Sequence, residues 1–179
     1  NELSQDSLVC GLSNGCVMAF DPRDCNMIKS DSDNWLNSPS NPKLKVSSSG
    51  RFIRRIQGLP GQVLSMEFLR PTPNTSSDTV HVHSNDYLVT SCDPADKGAL
   101  ENSIVVWDFA GGTPLSNGIF CEPYPSTFLK QHPINSSFVA QCAGGYIPVF
   151  SGQMPFKRKK SKTFKGHTSV GYPTKLEFS

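Results

Sequence analysis

The sequence has no apolar run longer than about five residues, against the roughly 20 that a membrane-spanning helix needs, so a helical membrane protein is excluded. It has almost no net charge. Seventeen basic and 15 acidic side chains leave +2, so polyelectrolyte behaviour cannot come from the chain as a whole. Its six cysteines, at 10, 16, 25, 92, 121 and 142, form no C-x-x-C pair, and they are spread too widely for a small disulfide scaffold. They read as reduced intracellular thiols. The chain opens Asn1-Glu2-Leu3-Ser4-Gln5, without the apolar stretch of a secretory leader. Walker and Rossmann fingerprints are missing, and so is any sustained helical periodicity.

In their place stand 24 Ser, 14 Gly and 14 Pro in 179 residues, a composition suited to short strands joined by turns. Leu8-Val9-Cys10-Gly11 and Cys16-Val17-Met18-Ala19-Phe20 flank Ser13-Asn14-Gly15, a strong hairpin signal because both Asn and Gly tolerate positive φ. Alternation or β-branching predicts strands at 51–56, 62–68, 87–91 and 103–108. A second hairpin is predicted from Phe138-Val139-Ala140-Gln141 and Tyr146-Ile147-Pro148-Val149-Phe150 around Ala143-Gly144-Gly145. Pro148 donates no ladder hydrogen bond, so its strand needs an edge or a bulge. A last strand is expected at Thr174-Lys175-Leu176-Glu177-Phe178. The Ser- and Asn-rich stretch 30–50 and the segments 69–86 and 94–102 read as loops.

Three segments share one plan: a strand, a tight turn, then a strand ending in an aromatic. Their ends are Phe20-Asp21, Trp107-Asp108 and Phe150-Ser151. Trp107 to Phe150 is 43 residues, within the roughly 40–45 of a WD40 blade, and Phe20 to Trp107 is 87, about twice that. The Gly-His that opens such a repeat stands complete at Gly166-His167. At Gly58-Leu59 only the glycine remains. A blade without that histidine lacks a buried polar network and relies on packing.

On these residues the chain resembles one branch of the WD40-repeat proteins, the branch of WD repeat-containing protein 25 and pre-mRNA-processing factor 17. The run Lys157-Arg158-Lys159-Lys160 through Lys165-Gly166-His167 to Gly171-Tyr172 is the most specific part, beside Ser103 to Phe109 and Leu115 to Phe120. Leu59 in place of His and the Ser-rich loop depart from that pattern. The fold expected is all-β: a partial WD40 propeller of about three blade equivalents of four-stranded antiparallel sheet, an internal piece of a longer chain. The segments expected are 1–29 as a partial blade (its inner hairpin), 30–50 as a loop, 51–110 as a blade with insertions at 69–86 and 94–102, 111–151 as a blade, and 152–179 as a basic linker and the start of another blade. Trp107, Asp108, Gly166, His167, Gly58, Phe20, Asp21 and Phe150 form the expected structural signature.

Two catalytic or metal motifs can be weighed against plainer readings. Gly11-Leu12-Ser13-Asn14-Gly15 matches G-x-S-x-G, but a nucleophile elbow needs a helix after the turn, and a strand follows here. His81 and His83 share a strand face without a third ligand at recognisable spacing. No catalytic residue, metal or cofactor is therefore assigned. The one charge cluster is Lys157, Arg158, Lys159, Lys160, Lys162 and Lys165, six cations in nine positions. Such a run suits a nuclear-import signal, an acidic protein partner or phosphate. The function these features and the resemblance imply is a non-catalytic scaffold. It would bind other proteins through propeller loops, inside the cell and in the nucleus, as part of a ribonucleoprotein assembly for pre-mRNA splicing, with no membrane and no small-molecule substrate. The alternative is an RNA-contacting module built on 157–165.

Overall fold

The computed structural model of the chain describes residues 8–20, 52–70, 87–94, 103–115, 124–169 and 173–179. These hold eleven strands and no helix, arranged in three antiparallel sheets. The first sheet has the order β1-β2-β3, from Leu8–Gly11, Val17–Phe20 and Phe52–Ile56. The second has the order β4-β5-β6-β7, from Gly61–Leu69, Tyr87–Pro94, Ile104–Asp108 and Thr113–Pro114. The third runs β11-β10-β9-β8, from Arg158–Lys165, Tyr146–Ser151, Ser137–Cys142 and Ser126–Gln131. Short strands in separate four-stranded sheets, with sequential neighbours paired, are the architecture of propeller blades.

The expected turns close the hairpins. Gly15, at φ 75°, ends the turn between β1 and β2, where the Leu12 amide donates to the Cys16 carbonyl. Gly145, at φ 76°, closes β9 onto β10. Pro148 sits beside a break in register between β10 and β11, the bulge a ladder needs where an N–H is missing.

Two apolar seams hold the sheets together, and the second sheet contributes to both. Leu88, Cys92, Val105, Trp107 and Phe109 pack with Val17, Ala19, Ile56 and Leu59. Their sequence neighbours Val89, Ile104 and Val106, with Leu69, pack with Leu129, Phe138, Ala140, Phe150 and Phe156 of the third sheet. Side chains along a strand alternate between its two faces, so β6 is buried at four consecutive positions without a polar side. Strand β8 is also tied to β4, and to Arg70 just after β4, by polar contacts. The Leu129 amide donates to Ser65 Oγ (3.0 Å), and the Gln131 amide donates to Glu67 Oε1 (3.2 Å). The Gln131 side chain accepts from the Arg70 amide (2.9 Å) and donates to the Arg70 carbonyl (2.7 Å).

Four expectations change. The strand at 52–56 pairs with β2 and completes the first sheet; it does not open a blade spanning 51–110. An unexpected strand, β8, pairs with β9, although its sequence, STFLKQ, shows little alternation. Residues 158–165 are not a linker but the outer strand of the third sheet, because β10 offers a free edge to them. Residues 174–178 form no ladder. They lie against β8 and its turn through side chains, with Lys130 Nζ 3.4 Å from Glu177 Oε1 and the His132 and Phe178 rings 4.8 Å apart. A strand exists only with a backbone partner, and at this position none is present among the described residues. The stretch 30–50, most of 69–86 and most of 94–102 lie outside the described residues.

Candidate functional site

Gly58 and Gly166 have nearly the same backbone, φ 112° and 109°. Each is followed by a residue whose carbonyl presses on a hairpin glycine. A Cβ on Gly15 would meet the Leu59 oxygen at 2.5 Å, and one on Gly145 would meet the His167 oxygen at 2.8 Å. Only glycine lets the backbones approach this closely at each corner. The two corners are therefore one device used twice.

Their side chains differ. Leu59 is 8% exposed and belongs to the first apolar seam, together with Trp107. His167 instead meets Gln141, itself 1% exposed, with Nε2 to Nε2 at 2.8 Å. The Gln141 amide also donates to the Cys142 carbonyl (3.1 Å) and reaches Ser169 Oγ (3.4 Å). An amide nitrogen only donates, so the Gln141 side chain offers its N–H to the His167 ring. Gln141 Oε1 is left buried without a partner. Gln141 and Ser169 are members of this network that the sequence did not single out, since a lone Gln in a strand carries no spacing signal.

Trp107 is buried, and its indole N–H donates to Thr90 Oγ1 (2.9 Å), which joins β6 to β5 through side chains as well as ladder. Asp108 stands at the end of β6 and caps the turn that follows. Its Oδ1 accepts from the Ala110 amide (3.1 Å) and its carbonyl accepts from the Gly112 amide (2.7 Å). Phe150 is fully buried and stacks on Phe138 with ring centroids 5.0 Å apart. Phe20 ends β2, half-buried, opposite Phe52. Asp21 lies outside the described residues. In the first seam, burial pushes the Cys92 thiol up to about 11. Among the described residues no disulfide joins Cys10, Cys16, Cys92 or Cys142.

The basic run lies on an edge strand. Arg158 pairs with Phe150 and Thr163 with Pro148, so the single residue Val149 stands opposite four, Lys159 to Lys162. Those four bulge out of the ladder, and Arg158 Nη2 donates to Thr163 Oγ1 (3.3 Å) across the base of the bulge. Lys157, Lys160, Lys162 and Lys165 are exposed; Arg158 and Lys159 are half-buried. Phe156 is core, whereas Phe164 is 62% exposed beside the bulge.

Ser13 occupies the β1–β2 hairpin turn, with Cys16 donating its amide to Asn14 Oδ1 (3.2 Å), and β2 follows where an elbow would need a helix. His81 and His83 lie outside the described residues. Among the described residues no three His, Cys, Asp or Glu side chains converge on a point where a metal could sit, and no helix is long and apolar enough to cross a membrane.

No family model matches the chain. It is 28% identical over 110 residues to WD repeat-containing protein 25 of Mus musculus, 62% of this chain and 21% of that protein. It is 32% identical over 79 residues to pre-mRNA-processing factor 17 of Saccharomyces cerevisiae, 44% of this chain and 17% of that protein. The chain is a WD40 relative. It spans about a fifth of the length of these curated relatives. Among solved structures, the computationally designed Ika8 protein covers 99% of this chain, itself matched over 38% of its length, with a TM-score of 0.56 at 18% identity. That likeness is one of fold alone. The all-β, partial WD40 propeller expected from the repeat is the architecture found.

Proposed function

We propose that this chain is part of a non-catalytic WD40 scaffold that joins protein partners through the loop ends of its blades, in a nuclear ribonucleoprotein assembly for pre-mRNA splicing. The observation that carries this is the stack of three sheets on two seams, with Trp107 in the first seam and Phe150 in the second. The nuclear and splicing parts are supported by the name of the yeast relative and by the basic run. In this reading Lys157, Arg158, Lys159, Lys160, Lys162 and Lys165 serve import or an acidic partner. The test is to change Lys157, Arg158, Lys159 and Lys160 to Gln and follow location and co-purifying proteins. Loss of nuclear accumulation with partner binding retained supports the reading, and a parent chain that never enters the nucleus overturns its splicing part.

A second reading, RNA contact through 157–165, is favoured by one observation: Phe164 stands exposed next to the lysine bulge, where a base could stack. A salt-sensitive complex with single-stranded RNA, losing log affinity at about 0.7 per phosphate and abolished by the four substitutions, would put this reading first.

A further inference from the structure

We infer that Ser161 is an acceptor site for a basophilic protein kinase, and that its phosphate turns down the charge of the basic bulge. The proposal stands on the bulge itself and does not depend on the splicing reading. A kinase needs its acceptor on an accessible segment that can leave the surrounding structure. Ser161 is exposed between exposed Lys160 and Lys162, in the four-residue excursion opposite Val149 where the ladder is broken. Its hydroxyl makes no hydrogen bond among the described residues. The neighbouring hydroxyl, Thr163, is different. It is half-buried, opposite Pro148 in the ladder, and already accepts from Arg158.

The charges around Ser161 choose the class of enzyme. Arg158, Lys159 and Lys160 occupy the three positions before it and Lys162 the one after. A peptide groove lined by carboxylates at the subsites preceding the acceptor complements that pattern, with Arg158 suited to a bidentate carboxylate contact. In the reaction Ser161 Oγ attacks the γ-phosphorus of ATP. The new Oγ–P bond forms as the bond from that phosphorus to the β,γ-bridging oxygen breaks. ADP leaves with that electron pair, and the hydroxyl proton passes to the catalytic carboxylate of the kinase. The product places a charge of about −1.5 to −2 among four cations, which removes roughly half of the local positive charge.

The experiment incubates the full chain with the catalytic subunit of a basophilic kinase and Mg-ATP. It locates phosphate by peptide mass spectrometry and then compares salt elution from a heparin column. The expected result is one phosphate on Ser161, none there in Ser161→Ala, and elution of the phosphorylated chain at lower salt. Arg158→Gln is expected to slow labelling about tenfold, the loss of about one charged contact. Because Arg158 also braces the bulge, the double variant Lys159→Gln, Lys160→Gln is the second probe and is expected to slow labelling in the same direction. Phosphate on Thr163 or elsewhere with Ser161 unlabelled, or labelling indifferent to both charge variants, overturns the acceptor site. Unchanged heparin elution overturns the charge switch.

Discussion

The corner at Gly58-Leu59 and the corner at Gly166-His167 share a backbone and differ in chemistry. Both glycines sit near φ 110°, and both following carbonyls press on a hairpin glycine. One corner then fills with a leucine of the first apolar seam, and the other with an imidazole bonded to Gln141. The repeat is thus conveyed by backbone shape, and the side chain has only to suit its surroundings. A polar network demands that every member be satisfied, whereas an apolar corner demands only volume and shape. The unpartnered Gln141 Oε1 shows that the polar version meets its demand incompletely.

The largest expected effect breaks the apolar side. Trp107→Ala should lose about 3–5 kcal/mol of stability, from lost burial and the cavity left in the first seam. Denaturant midpoints equal to the parent's would show that the first seam does not need the indole. Next comes pH. The folded state keeps the Cys92 proton up to about 11, while an ordinary thiol of 9.0 gives it up sooner. The stability from burying the neutral thiol is therefore complete below pH 9 and is lost as pH rises through about 11, at up to about 1.4 kcal/mol per pH unit. Unfolding curves at pH 8.5, 10 and 11 should show an extra decline that Cys92→Ala lacks. An equal decline in the variant would assign it to other groups.

Exchanging the chemistry sharpens the comparison further. Leu59→His should cost about 1–3 kcal/mol, because the imidazole enters an apolar cluster without the amide that His167 enjoys. A neutral outcome in thermal unfolding would mean that the first corner rearranges to supply a partner. The smallest effect tests the shared backbone. A Cβ on Gly58 or Gly166 meets nothing within 4 Å, so Gly58→Ala and Gly166→Ala should each cost only the conformational penalty of about 1–2 kcal/mol. Equal losses support one device used twice. Clearly unequal losses would tie each glycine to the residue that follows it.

Much of this was legible in the sequence. The hairpins at 8–20 and 138–150 followed from Asn-Gly and Gly-Gly between apolar runs, and β6 from its β-branched residues. Pro148 forecast an edge or a bulge, and a break in register stands beside it. The sheet to which 52–56 belongs was not legible, since a strand's alternation tells which face is buried and not which neighbour it pairs with. Residues 126–131 hid because their ladder and polar bridges to Ser65, Glu67 and Arg70 stabilise a segment with weak alternation of its own.

The basic run marks where sequence and tertiary structure divide. Its charge, its density and its position before Gly166-His167 are properties of the chain alone, as are the turn residues whose φ preferences are local. So is the period of the blades, because it follows from residue types at fixed spacing. That 158–165 is an edge strand, that four of its residues are pushed out opposite Val149, and that Leu59 joins a seam while His167 joins a network were decided only in three dimensions. Backbone pairing and seam packing depend on residues tens of positions apart, and a free edge or a missing amide is created by the partner strand, not by the segment that answers it.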